Sequence, residues 1–312
     1  MYLPPFPKCP MTELPSPQDP SSPSAPARVE GLVDLLTVET LDTDLYRGMP
    51  LPGGRGRVYG GQVVAQALQA AQMTVEGRPC HSLHCYFMRP GEEGKPIIFR
   101  VARDHDGRTF ATRRVIASQN GEPILNMLLS FQVPEDGFEH QDTMPEVTPP
   151  EELISDAELW RANAELIPAP LREHLLRPRP LEFRHVYARN PLAPFATEPR
   201  HASWFRTVAP IGDDPTLHRA VLAYASDMTL LSTCGLPHAI SYFDKQFQIA
   251  SLDHAIWFHE SFCADDWLLY VTDSPSASGG RGFNRGQIFS RDGKLVASVA
   301  QEGLIRKRQP KA

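Results

Sequence analysis

The feature that most constrains this 312-residue chain is an order of elements that runs along it twice. An amphipathic helical stretch is followed by strand-like runs and a closing hairpin, and the same succession returns about 170 residues later. Tyr86-Phe87-Met88 falls opposite Trp257-Phe258-His259, and the turn Asn120-Gly121 falls opposite Asp292-Gly293. A spacing of that size is that of whole domains, far longer than a solenoid period. The expected architecture is therefore a duplicated helix-plus-antiparallel-sheet domain of α+β class.

In the first copy, Val64, Ala67, Leu68 and Ala71 recur at i, i+3, i+4, i+7 after Gly60-Gly61, which predicts a helix. Its other side is alanine-rich and weakly charged, so the helix is expected to be covered on several sides. Strand-like runs follow at 82–88, 96–102, 110–118 and 124–133. The second copy has runs at 181–188 and 204–208, a helix over 217–234, and runs at 248–258, 267–272, 283–290 and 294–301. Residues 1–30 read as a disordered leader rich in Pro and Ser, 31–134 as the first repeat, 135–180 as an acidic, proline-rich linker with a short helix near 157–166, 181–307 as the second repeat, and 308–312 as a tail.

Several chemistries are disfavoured. A formal net charge of -6 offers no broad positive field for nucleic acid. No uncharged apolar run approaches the roughly 20 residues of a spanning helix, so no membrane partner is expected. The five cysteines are scattered without a C-x-x-C pair, and the eleven histidines show no ligand spacing, so neither a metal nor another cofactor is implied. There is no G-x-S-x-G elbow; Ser278-Gly279-Gly280 reads as a turn, and Gly53-Gly54-Arg55-Gly56 lacks the lysine and hydroxyl of a P-loop.

Asp227 lies within an otherwise apolar helical stripe, and Ser251 and Gln301 come late in apolar strands of the same repeat. An acid, a hydroxyl and an amide can together hold one water, with the acid accepting its proton. Each residue taken alone has a plainer reading, since a helix aspartate is usually a cap or a satisfied acid and a strand Ser or Gln usually faces water.

At these positions the chain resembles the acyl-CoA thioesterase II (TesB-like) family. The resemblance is carried by Tyr59-Gly60-Gly61-Gln62-Val63-Val64-Ala65-Gln66-Ala67, Tyr86-Phe87-Met88-Arg89-Pro90, Leu222-Ala223-Tyr224-Ala225-Ser226-Asp227, Asp253-His254-Ala255-Ile256-Trp257-Phe258-His259 and Gln301-Glu302-Gly303, and it extends over about 32–306. It implies a double hotdog: two tandem repeats, each a curved antiparallel sheet wrapped around one long helix, with the two sheets joined side by side.

The resemblance further implies hydrolysis of acyl-CoA to a fatty acid and free coenzyme A by direct attack of a water, with Asp227 as the acid, Ser251 as the hydroxyl where some members have threonine, and Gln301 as the amide. Gly60 and Gly61, at a helix start with unpaired N–H groups, are candidates for the oxyanion. The first repeat has no acid in its helix and Leu129 where the amide would be, so one site per chain is expected. A homodimer or higher homo-oligomer is implied. The expected location is cytoplasmic, with a peroxisomal one disfavoured because the chain lacks a Ser-Lys-Leu end. Two other readings are a hotdog enoyl-CoA hydratase or dehydratase and a non-catalytic acyl-CoA binding module. The hydratase would need a histidine with an acid, but adjacent Asp253 and His254 point to opposite faces of a strand. Arg89, Arg281 and Arg285 are read as surface charges.

Overall fold

The computed structural model describes residues 23–50 and 56–308. In chain order the elements are α1 (Ala25–Leu36), β1 (Val38–Asp42), β2 (Leu45–Gly48), α2 (Gly60–Gln72), β3 (Cys80–Phe87), β4 (Ile97–Asp106), β5 (Phe110–Gln119), β6 (Glu122–Gln132), α3 (Asp156–Ala162), α4 (Ala169–Leu176), β7 (Leu181–His185), β8 (Arg200–Thr207), α5 (Pro215–Ser226), β9 (Phe247–Ser251), β10 (Asp253–Phe258), β11 (Leu268–Ser278), β12 (Arg281–Ser290) and β13 (Leu295–Lys307).

Alternation along the strands decides which face turns inward. In β6, Leu125, Met127, Leu129 and Phe131 are buried while Asn126 and Leu128 face out. The strands pair antiparallel into one sheet ordered β1-β2-β4-β5-β6-β3-β10-β13-β12-β11-β8-β7, with β9 also on β13. That order is palindromic about the β3–β10 contact: β6 answers β13, β5 answers β12 and β4 answers β11. At this joint Leu83 lies opposite Ile256, both fully buried, and His84 meets Trp257 edge to face at 4.8 Å between ring centres. The hairpins between β5 and β6 and between β11 and β12 turn on Asn120-Gly121 and Gly279-Gly280, all at positive φ.

The sheet curls around α2 and α5, which pack on each other. Nearly every residue of α2 from Gly61 to Ala71 is buried, as its small side chains foretell. Each half thus wraps a long helix in a curved antiparallel sheet, and the halves share one sheet: a double hotdog.

Three expectations need correcting. Chain order starts earlier than 31, because Ser24 caps α1 by accepting from the Ala27 N–H (3.3 Å) while Val29, Leu32, Leu35 and Leu36 bury the helix; residues 1–22 of the expected leader lie outside the described residues. The helix expected over 217–234 ends at Ser226, with Asp227 at its C-cap, and a 3-10 segment follows over Leu230–His238. There Pro237 lacks a donor and the Cys234 N–H goes to Asn284 Oδ1 (2.8 Å) instead of a helical carbonyl. The run 248–258 is broken at Leu252, where the pairing with β13 slips by one residue. The Leu252 N–H bonds Glu302 O while its carbonyl accepts from the Phe87 N–H, tying the break to both repeats.

Ile256 is fully buried at the joint, opposite Leu83. Ile256→Ala is expected to cost about 2–5 kcal/mol in denaturant unfolding, and a loss below about 1 kcal/mol would contradict a joint on which both repeats depend.

Candidate active site

Asp227 follows the last turn of α5, a place where the helix's own carbonyls disfavour negative charge. The end of α5 is satisfied by side chains. Ser226 Oγ donates to Ala223 O (3.0 Å), the Tyr59 hydroxyl to Tyr224 O (2.7 Å) and the Tyr270 hydroxyl to Ser226 O (2.9 Å). The Asp227 carboxylate then turns to the amino end of α2, where it accepts from the Gly61 N–H. α2 has no capping side chain of its own, so this carboxylate satisfies one of its unpaired amides.

The approach needs glycine. A Cβ at Gly60 would lie 2.7 Å from Asp227 Oδ2 and 3.0 Å from the Phe87 ring, and one at Gly61 would lie 2.6 Å from Tyr224 O. Asp227 Oδ1 also accepts from Gln301 Nε2 (2.6 Å) and, at longer range, from Ser251 Oγ (3.4 Å). The fold thus brings together Asp227, Ser251, Gln301, Gly60 and Gly61 from α5, β9, β13 and α2. Burial pushes the Asp227 carboxyl up to about 6, outweighing the donors from Gln301, Gly61 and Ser251 that pull it down.

His254 belongs to this cluster although the sequence reading set it aside. Alternation turns Asp253 away, to accept from the Glu302 N–H (2.6 Å), and turns His254 inward beside Ile256 and Phe258. Its ring nitrogens meet Gln301 Nε2 at 3.1 Å and Ser226 Oγ at 2.9 Å. The proton positions follow from donor counting. Gln301 Nε2 must donate to the Asp227 carboxylate, so its other N–H goes to His254 Nδ1; His254 Nε2–H then donates to Ser226 Oγ, whose own proton is on Ala223 O. The imidazole is neutral, and burial drives its pKa down to about 3. This run of hydrogen bonds leaves Gln301 Oε1 buried with no partner among the described residues.

The matching place in the first repeat is built differently. Asn284, Gln301 and His254 lie side by side on β12, β13 and β10, whereas Arg113, Leu129 and Leu83 lie side by side on β5, β6 and β3. Leucines replace the amide and the imidazole. Buried Arg113 closes the end of α2 by donating to Thr74 Oγ1 (2.8 Å), Thr74 O (3.2 Å) and Asp106 (2.6 Å).

Elsewhere His218, Cys263 and Asp265 converge, but protein hydrogen bonds already use the first and last. His218 Nδ1 accepts from the Ala264 N–H (3.0 Å) and its Nε2 donates to Gly212 O (2.9 Å), while Asp265 takes the Thr207 hydroxyl (2.8 Å) and the Ile211 N–H. The donors expected of a metal site are therefore spent on holding the loop before α5. Of the glycine cluster at 53–56, residues 53–55 lie outside the described residues.

A double hotdog with a largely enclosed acid at the helix pair is the class that fold and site define. Comparison with known proteins agrees. Residues 173–304 match the family described as acyl-CoA thioesterase, and residues 50–132 match the acyl-CoA thioesterase N-terminal domain. The chain is 41% identical over 279 residues to acyl-CoA thioesterase 2 of Haemophilus influenzae, covering 89% of this chain and 98% of the relative. It is 40% identical to human acyl-coenzyme A thioesterase 8 over 87% of this chain and 88% of that one. The crystal structure of the acyl-CoA thioesterase II TesB2 from Mycobacterium marinum superposes with a TM-score of 0.73 at 40% identity, over 88% of this chain and 98% of that one. The chain belongs to the acyl-CoA thioesterase family and is a thioester hydrolase.

The hydrogen-bond chain makes His254 a neutral group across the physiological range. Nitrogen-15 NMR of the histidine side chains is expected to show its ring unchanged from pH 8 to pH 5, and a titration midpoint near 6 would contradict the assigned protons.

Proposed function

We propose that the protein hydrolyses acyl-CoA thioesters to free fatty acid and coenzyme A by direct attack of a water held by Asp227, Ser251 and Gln301. The observation that carries this reading is a carboxylate poised near 6 that accepts from the Gln301 amide, whose own oxygen, Oε1, has no partner among the described residues. Such an oxygen accepts one hydrogen of the water while Asp227 accepts the other, and the Ser251 hydroxyl steadies the set.

Asp227 takes a proton as the water oxygen bonds to the thioester carbonyl carbon, and the carbonyl electrons move onto oxygen. The N–H groups at the amino end of α2 meet that oxyanion. Gly61 is engaged by Asp227, so the donor is assigned to Gly60. Collapse breaks the carbon–sulfur bond, and Asp227 returns its proton to the departing thiolate. The water's OH ends in the acid and its H on the thiol.

The hydratase reading fares worse, because it needs a histidine that exchanges protons near neutrality. His254 is fully buried, bonded at both nitrogens and held far below that range. Its place is to orient Gln301.

The test is release of free thiol from acetyl-, hexanoyl-, decanoyl- and palmitoyl-CoA. Asp227→Asn is expected to fold with an unchanged circular dichroism spectrum and to lose about 10²–10⁴ in kcat. Only ionised Asp227 accepts a proton, so wild-type kcat/KM should fall about tenfold per pH unit as pH drops below about 6. Wild-type turnover in folded Asp227→Asn would overturn the assignment.

A further inference from the structure

The two oxygens of Asp227 meet different surroundings. Gln301 Nε2 and Ser251 Oγ both donate to Oδ1. Oδ2 turns to the start of α2, where it lies 2.7 Å from the point that a Cβ on Gly60 would occupy. The ring of Phe87 crowds that same point from the end of β3, with Cζ at 3.0 Å and Cε1 at 3.1 Å. Oxygen, glycine and aromatic edge thus leave no room there for a single methyl group.

Alternation turns Phe87 toward this gap while its neighbours Tyr86 and Met88 are exposed. Its backbone is held from two sides: the N–H donates to Leu252 O (2.9 Å) at the break between β9 and β10, and the residue pairs with fully buried Leu125 of β6. The side chain is half-buried and packs on the main core, as do Val58, Tyr224 and Met228. The first repeat therefore holds an apolar edge against the acid of the second.

Burial raises the proton affinity of Asp227, and the donors from Gln301, Gly61 and Ser251 lower it; among the described residues no neighbouring charge contributes. The titratable groups around it are uncharged near pH 6. Burial holds the hydroxyls of Tyr59, Tyr224 and Tyr270 and the Cys85 thiol of β3 above their ordinary values, and holds the His254 imidazole of β10 down to about 3. What covers the carboxylate therefore decides where it titrates. The side chains at Oδ1 donate hydrogen bonds, which favour the charged form; the side chain at Oδ2 is that of Phe87, which offers none.

We propose that Phe87, supplied by the first repeat, is a positioning residue of the site: its ring seals the Oδ2 side of Asp227 against bulk water and so sets the pH range over which the enzyme works. This rests on Asp227 being the base of thioester hydrolysis. The ring acts through the carboxylate, by denying it the solvation that would stabilise its charge.

The acid limb of kcat/KM for decanoyl-CoA reads this directly, since it reports the free enzyme. Phe87→Ala lets water reach Oδ2 and stabilise the charged form, so its midpoint is expected to lie about one pH unit below that of the wild type. At pH 5 the variant then keeps more of its plateau activity than the wild type does. Phe87→Leu keeps an apolar cover and should titrate close to the wild type. Phe87→Gln keeps the bulk but brings a donor, so its midpoint should fall as in Phe87→Ala, and it decides the matter should the alanine variant fold poorly. A ring that only supports the fold would lower the plateau and leave the midpoint in place. An unmoved midpoint in the folded alanine or glutamine variant, or an upward shift in either, would overturn the proposal. Carbon-13 NMR titration of the Asp227 carboxyl, identified by its loss in Asp227→Asn, reads the same shift without turnover. If the wild type releases no thiol from acyl-CoA, the hydrolase reading fails separately. The carboxyl titration then decides the seal, with a lower midpoint in both variants supporting it and an unchanged one refuting it.

Discussion

One carboxylate sets the terms for the rest of this molecule. Asp227 stands at the carboxyl end of α5 and is largely enclosed, two conditions that each penalise its charge. The compensation comes from another repeat: the amino end of α2 points at it and gives it the Gly61 N–H. That contact requires α2 and α5 to lie against each other with small residues between them, hence the run of alanines in α2 and the two glycines at its start. It also requires both halves to share one sheet, because Gln301 and Ser251 reach the carboxylate from strands beside the β3–β10 joint. A single repeat has the helix and the sheet but lacks the opposing helix end.

The duplication therefore builds two helix junctions and equips one. At the second junction Leu83 and Leu129 stand in the places of His254 and Gln301, and Arg113 binds the carbonyl end of α2 that Asp227 has no counterpart to exploit. A guanidinium at a helix carboxyl end is favourable where a carboxylate is not. One repeat has put its buried polar residues into stability and the other has put them into an acid held near 6.

The strands, the alanine-rich helix and the doubled order were legible because period-two and helical alternation are local signals. So was the oddity of an acid amid apolar residues at Asp227. The end of α5 at Ser226 was hidden because the apolar stripe continues through Met228 and Leu231, while the hydroxyls that take the carbonyls of its last turn, from Tyr59 and Tyr270, come from far along the chain. The break at Leu252 was hidden for a similar reason: Glu302 and Phe87 draw its backbone in two directions. His254 carried a readable sign, since it shares the inward face of β10 with Ile256 and Phe258, but its role depends on Gln301 and Ser226, which only the fold brings near.

In the proposed mechanism water, not the protein, supplies the oxygen of the product acid. A single turnover of decanoyl-CoA in oxygen-18 water, with enzyme in excess, tests this most directly by mass spectrometry of both the acid and the peptide bearing Asp227. Direct attack predicts one heavy oxygen in decanoic acid and none in Asp227. Heavy oxygen in Asp227, with an unlabelled acid from the first turnover, would mean that the carboxylate itself attacked the thioester, and would contradict the account.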